Sequence, residues 1–125
     1  MSDAPPPPIE VIAIGDRLYR RLPSEAIRNG KVGRGAYYFQ GEPDLSISVD
    51  LARLSTPETT RLRAPRPERF GVGEVSASVP LRLGLAVRHD PTSENPAHSL
   101  IEGATTRAIC QTLADRTIIV VMPSV

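Results

Sequence analysis

The sequence predicts a single α+β domain: a mixed, mostly antiparallel sheet of five to seven short strands, one main helix near the C-terminus, and short helical turns elsewhere. Three observations predict it. Apolar and polar residues alternate in stretches 45–51, 72–79 and 85–89, and period-two alternation turns one face of a strand to a core and the other to water. Residues 117–122 are almost wholly apolar and β-branched, which suits a buried strand. Residues 105–116 alone have the length and the i, i+4 apolar pair, Ile109 and Leu113, of a helix longer than two turns.

The remaining elements follow in order. Residues 1–8 contain Pro5 to Pro8; proline fixes φ and lacks an N–H, so a disordered, extended tail is expected there, with the domain over 9–125. Residues 9–14 are a short apolar run and an expected strand. Residues 24–28 before Asn29-Gly30 suggest one helical turn with a glycine stop. Gly30, Gly33 and Gly35 lead into an expected strand at 36–39. In 45–51, Leu45, Ile47, Val49 and Leu51 form the inner face and Ser46, Ser48 and Asp50 the outer one. Thr56 suits an N-cap and Pro57 the first helical position, so a short helix starts there and ends before Pro65. Residues 80–84 form a helical turn, Asp90-Pro91 and Asn95-Pro96 are turn formers, and 98–102 read as a strand.

Composition limits the function. The 125 residues leave room for one domain. Formal charge is +1, with the basic excess concentrated in residues 17–69. That excess is well below what an autonomous nucleic-acid binder carries, and five aromatics without a tryptophan offer little stacking surface. Nucleic acid is therefore disfavoured as a partner. One cysteine, Cys110, permits no intrachain disulfide and points to a reducing compartment. No apolar run reaches membrane-spanning length and the N-terminus lacks a secretory pattern, so the expected location is cytoplasmic and no membrane partner is expected.

Candidate chemistry concentrates in residues 88–102, which carry both histidines. If 85–89 and 98–102 pair symmetrically, His89 faces His98, Val87 faces Leu100 and Leu85 faces Glu102. Opposed Cβ atoms lie about 4.5–5.5 Å apart, within reach of one metal ion or one substrate proton. In that arrangement His98 is the base or ligand, His89 its partner, Asp90 the orienting carboxylate and Arg88 an anion clamp. A metal set would comprise His89, His98 and Asp90, or Glu94 of the loop in place of Asp90 as the carboxylate. The alternative is structural: Asp90, Asn95 and the two prolines hold the loop, and His98 bonds a backbone carbonyl. A one-residue slip in register separates the histidines.

Other signals are weaker. The run Gly30-Lys31-Val32-Gly33-Arg34-Gly35 matches no phosphate-loop spacing and reads as a hairpin loop. Arg61, Arg63, Arg66 and Arg69 read as a solvated segment. Tyr19, Arg20, Tyr37 and Tyr38 are candidate nucleotide-pocket residues, although packing with hydroxyls at the surface is the plainer reading; an opening Leu18-Tyr19-Arg20 occurs in some ADP-ribosyl-transferring and NAD-degrading folds, and three residues establish no membership. Cys110, inside the helix, reads as an inert thiol.

Ser48-Val49-Asp50-Leu51-Ala52, then Thr56-Pro57-Glu58, then Asp90-Pro91 and Asn95-Pro96-Ala97-His98, resemble a loose group of small bacterial proteins without an assigned activity. The resemblance implies a bacterial, standalone domain and singles out Asp90, Asn95 and His98. Two functions stay open. One is a non-catalytic interaction or accessory domain that binds a protein partner through a sheet edge or residues 61–69, with no cofactor. The other is a small enzyme using residues 88–102, either a hydrolase assisted by a divalent metal or a nucleotide-directed transferase.

Overall fold

The computed structural model describes residues 7–37, 46–103 and 106–124. Most of the expected tail, and Tyr38, Phe39 and Leu45 of the expected strands, lie outside those residues. The elements in chain order are β1 (Arg17–Pro23), β2 (Ile27–Arg28), β3 (Lys31–Val32), β4 (Ser46–Leu51), α1 (Pro57–Leu62), β5 (Phe70–Ser76), α2 (Ser78–Arg82), β6 (Ala86–His89), β7 (His98–Glu102), α3 (Arg107–Asp115) and β8 (Ile118–Val121). Six strands form one sheet in the order β6-β7-β4-β1-β5-β8, antiparallel at every step. Strands β2 and β3 form a separate hairpin. Its turn, Asn29-Gly30, has φ of 53° and 73°, the left-handed pair a two-residue hairpin requires. The fold is α+β.

Alternation builds the core as expected. Leu18 and Leu22 of β1, Ile47, Val49 and Leu51 of β4, Val75 of β5 and Ile101 of β7 are all buried. They pack with Cys110, Leu113 and Ala114 of α3, and each fully buried aliphatic side chain contributes roughly 1.5–3 kcal/mol. Thr106 caps α3, its hydroxyl accepting from the Ile109 N–H at 3.2 Å. Thr56 caps α1 in the same way through Thr59 N–H at 3.0 Å.

The structure departs from expectation in four places. Residues 9–14 are not a strand; Ile9, Val11 and Ile14 are exposed, and the segment crosses the surface tethered by Arg53. That guanidinium pairs with Glu10 and Asp16 and donates to the Val11 carbonyl. The central strand is instead β1, between β4 and β5. Its alternation is disguised because Arg20 takes an inward position. The Arg20 guanidinium is satisfied there by the Ala36 and Ser48 carbonyls, at 2.8 and 2.7 Å, and lies 5.7 Å from the Tyr37 ring centre. Residues 34–37 form a 3₁₀ turn, not a strand, which buries Ala36 and Tyr37. Finally β8 is a sheet edge and not a buried strand: Ile118 and Val120 are 62% and 40% exposed.

Candidate active site

The outer face of the sheet is polar because of register. Tyr19 pairs with Asp50 across β1 and β4, and Asp50 pairs with His98 across β4 and β7. Paired residues share a face, so Tyr19, Asp50 and His98 form a row across three strands. Ser48, two residues from Asp50, lies diagonal to His98 on that face, within reach of a long side chain.

Asp50 sits on the expected solvent face and is nevertheless only 6% exposed. Helix α1 covers it. Thr60 and Arg63, three residues apart and so neighbours on the helical surface, both reach Asp50 Oδ2 at 2.8 Å. The second oxygen accepts from Asn95 Nδ2 at 2.9 Å. Asn95 is itself oriented, since its Oδ1 accepts the Ala97 N–H at 3.1 Å. A buried carboxylate thus receives three donors, including one cation, which is what makes its burial tolerable. The arrangement ties the loop before β7 to α1 and to the middle of the sheet.

Between β1 and β4 the paired positions are Leu18–Leu51 and Tyr19–Asp50. Beyond them the Ser48 carbonyl is taken by the Arg20 guanidinium. A cleft of about 60 Å³ opens there, lined by Tyr19, Arg21, Ser48, Asp50, Arg63 and His98 among others. Among the described residues, the Arg21 guanidinium and the Tyr19 hydroxyl have no hydrogen-bond or ion-pair partner. Burial, then the nearby Glu74 carboxylate, push the Tyr19 phenol above its ordinary value, so it remains a hydrogen-bond donor.

His98 borders this cleft. Its Nδ1 lies 3.0 Å from the Asp90 carbonyl and 3.2 Å from Asp90 Oδ2. Both are acceptors, so Nδ1 carries the proton and Nε2 of the neutral ring presents a lone pair. Ser48 Oγ stands 3.4 Å from that Nε2. The Nδ1–H thus donates to the Asp90 backbone carbonyl with the Asp90 carboxylate beside it, and the opposite nitrogen faces a hydroxyl; an oriented imidazole next to a hydroxyl is the core of an activated nucleophile.

The expected histidine pair does not form. The β6–β7 register places His89 opposite Ser99 and Val87 opposite Ile101, one residue from the symmetric expectation. This register turns Ile101, fully buried, to the core together with His89 and Ser99, and leaves His98 on the other face. His89 is sealed: Nδ1 accepts the Glu10 N–H at 2.8 Å, so the hydrogen is on Nε2, which donates to the Pro96 carbonyl at 2.7 Å. Neither nitrogen is available to a metal or substrate, and a His89–His98–Asp90 ligand set is not assembled. Among the described residues no three His, Cys, Asp or Glu side chains converge as such a set.

Arg88 is on the His98 face but is engaged elsewhere. It forms a two-pronged pair with Glu102 at 2.9 and 3.2 Å and contacts Asp90 at 3.3 Å. The pair raises the Arg88 pKa and holds the Glu102 carboxyl below its ordinary range. Of the four supposed nucleotide-pocket residues, Tyr19 and Arg20 both line the cleft, Tyr37 is buried in the core, and Tyr38 falls outside the described residues. The Tyr37 hydroxyl is buried and not at the surface; it donates to Thr117 Oγ1 at 2.6 Å, since that hydroxyl gives its own hydrogen to the Leu113 carbonyl. Cys110 is a buried thiol, as expected.

Sequence reasoning missed Ser48, Asp50, Arg21 and Arg63 as site residues. The available signal was the polar face of β4, where Ser48 and Asp50 alternate with core positions. Larger grooves exist, one of about 430 Å³ beside Arg17, Arg82 and Arg116 and one of about 610 Å³ beside Lys31 and Asp115. Neither contains an imidazole. Comparison with protein-family models, curated proteins and solved structures gives no match.

Proposed function

We propose that the chain is a small cytoplasmic enzyme that performs general acid–base chemistry on a phosphoryl-bearing, nucleotide-like substrate, with His98 transferring the proton. The observation that supports this reading is the state of the His98 ring. Nδ1–H is held by Asp90, and Nε2 faces a cleft that also contains a guanidinium, Arg21, and a phenol, Tyr19, neither with a hydrogen-bond or ion-pair partner among the described residues. Guanidinium groups match phosphoryl oxygens in geometry as well as charge. Arg88 is not the clamp in this reading, because Glu102 occupies it; Arg21 takes that role. Turnover of nitrophenyl phosphate monoesters and diesters tests the proposal. A His98→Gln variant should lose roughly 100-fold or more of the rate, the usual contribution of a positioned acid–base group. No turnover by the wild-type protein, or an unaffected variant, rejects it.

One observation favours a protein partner as a second reading. Edge strand β8 exposes Ile118 and Val120, followed by exposed Met122, and an exposed edge invites an added strand. The partner would be an extended apolar segment. Val120→Lys should then abolish partner binding while His98→Gln leaves it intact.

A further inference from the structure

Ser48 is an ordinary strand serine by sequence, but its neighbours in space are not ordinary. Its Oγ is 3.4 Å from His98 Nε2, the only nitrogen of that ring with a lone pair, and the other nitrogen is locked by Asp90. Serine is a weak nucleophile until a neighbouring base removes its proton, and a third group must keep that base in the correct tautomer. The three groups, hydroxyl, base and orienting residue, come from β4, β7 and the start of the loop between β6 and β7. We propose that Ser48 is the nucleophile and carries the phosphoryl group transiently. This rests on the reading of the cleft as an acid–base site and goes further, because that reading is equally compatible with direct attack by water.

Ser48 Oγ forms a bond to phosphorus while its proton passes to His98 Nε2. The bond from phosphorus to the leaving oxygen breaks, and that oxygen takes the proton back from Nε2. Water then attacks the phosphoserine, again giving its proton to Nε2, and Ser48 recovers a proton as inorganic or substituted phosphate departs. Asp90, beside Nδ1, stabilises the imidazolium that exists between these transfers. Arg21 and Tyr19, without hydrogen-bond or ion-pair partners among the described residues, have donors for the non-bridging oxygens, and Arg63, its charge balanced by Asp50, lines the same cleft. The cleft, about 60 Å³, accommodates a phosphoryl group and leaves the rest of the substrate outside.

The full chain treated with a fluorophosphonate tests the proposal, because phosphorus there carries fluoride as the leaving group. Intact mass and peptide mapping should find one adduct per chain, on Ser48. The adduct should be absent from Ser48→Ala and form at least 100-fold more slowly in His98→Gln. Absence of an adduct at Ser48, or labelling independent of His98, overturns it. Turnover of the nitrophenyl reporters by Ser48→Ala separates the two claims. Ser48 is exposed, so this variant should fold, and unchanged circular dichroism checks that. Full activity in Ser48→Ala with loss in His98→Gln would make water the nucleophile, defeating the Ser48 proposal while the acid–base reading stands. Full activity in both variants would defeat both.

Discussion

His89 and His98 lie on adjacent strands and are held in opposite tautomers. His89 receives a backbone N–H at Nδ1 and donates from Nε2; His98 donates from Nδ1 and presents Nε2 to the cleft. One residue of register decides the difference, turning the first ring to the core and the second to the polar face. The first is structural and the second is the candidate for chemistry.

Their substitutions should therefore behave oppositely. His89→Ala removes a fully buried ring and strands the Glu10 N–H and the Pro96 carbonyl, which should cost about 2–4 kcal/mol. His98→Ala should cost about 1 kcal/mol or less, because its side chain is 24% exposed. Urea unfolding of both variants measures this. Proteolysis within residues 9–14 should accelerate in the His89 variant, since its ring anchors Glu10.

Asp50 joins three segments that have few other reasons to meet. Asp50→Ala leaves the Arg63 cation and the Asn95 amide without their acceptor and should cost about 3 kcal/mol, as expected for breaking a largely buried pair from one side. Adding Arg63→Ala should recover part of that loss, with a coupling of about 1 kcal/mol between the two sites. Denaturation of the two single variants and the double variant gives the coupling directly.

Tyr37 should make the fold sensitive to alkali. Burial, only partly offset by the Thr117 hydrogen bond, pushes its phenol above the ordinary 10.0. A raised folded-state pKa means the contribution is fully present below the unfolded value and is lost as pH rises through the folded one. Stability measured from roughly pH 8 upward should hold to about pH 10 and then fall. Tyr37→Phe should flatten that decline, at a cost of about 1 kcal/mol near neutrality for the lost hydrogen bond.

Gly71 of β5 lies against the backbone at the end of β8. A Cβ there would lie 2.4 Å from the Val121 carbonyl oxygen, a backbone atom that cannot swing aside. Gly71→Ala should destabilise by about 1–3 kcal/mol. Gly35→Ala, with nothing within 4 Å of its Cβ, should change stability by no more than about 0.5 kcal/mol. Thermal melts of the two proteins make the comparison.

Arg21 should control affinity for anions without controlling stability. Its guanidinium faces the cleft and has no partner among the described residues, so Arg21→Ala should weaken inorganic phosphate binding about 10-fold or more. Calorimetric titration reads the affinity, and an unchanged melting temperature checks the fold.

Local pattern made much of this fold legible. The alternation in β4, Thr56-Pro57 before α1, and the Ile109–Leu113 pair of α3 all specify their elements through interactions a few residues long. It was misleading wherever a distant partner decided the outcome. Nothing local to Arg20 shows that the Ala36 and Ser48 carbonyls take its guanidinium, and the apolar run in β8 looked buried although the sheet ends there. Residues 9–14 had strand composition but no neighbour to pair with.

By itself the sequence determined the α+β class, the Thr56 cap of α1 and the core face of β4, and it directed attention to Asp90, Asn95 and His98. Tertiary structure alone decided which histidine is sealed and which faces a cleft, and brought Ser48, Arg21 and Arg63 to it. The physical reason is that side chains alternate every residue along a strand, so the face each histidine takes depends on a register chosen by the packing of Ile101 and Val87. That choice is a property of the packed core, and no local signal within residues 88–102 encodes it.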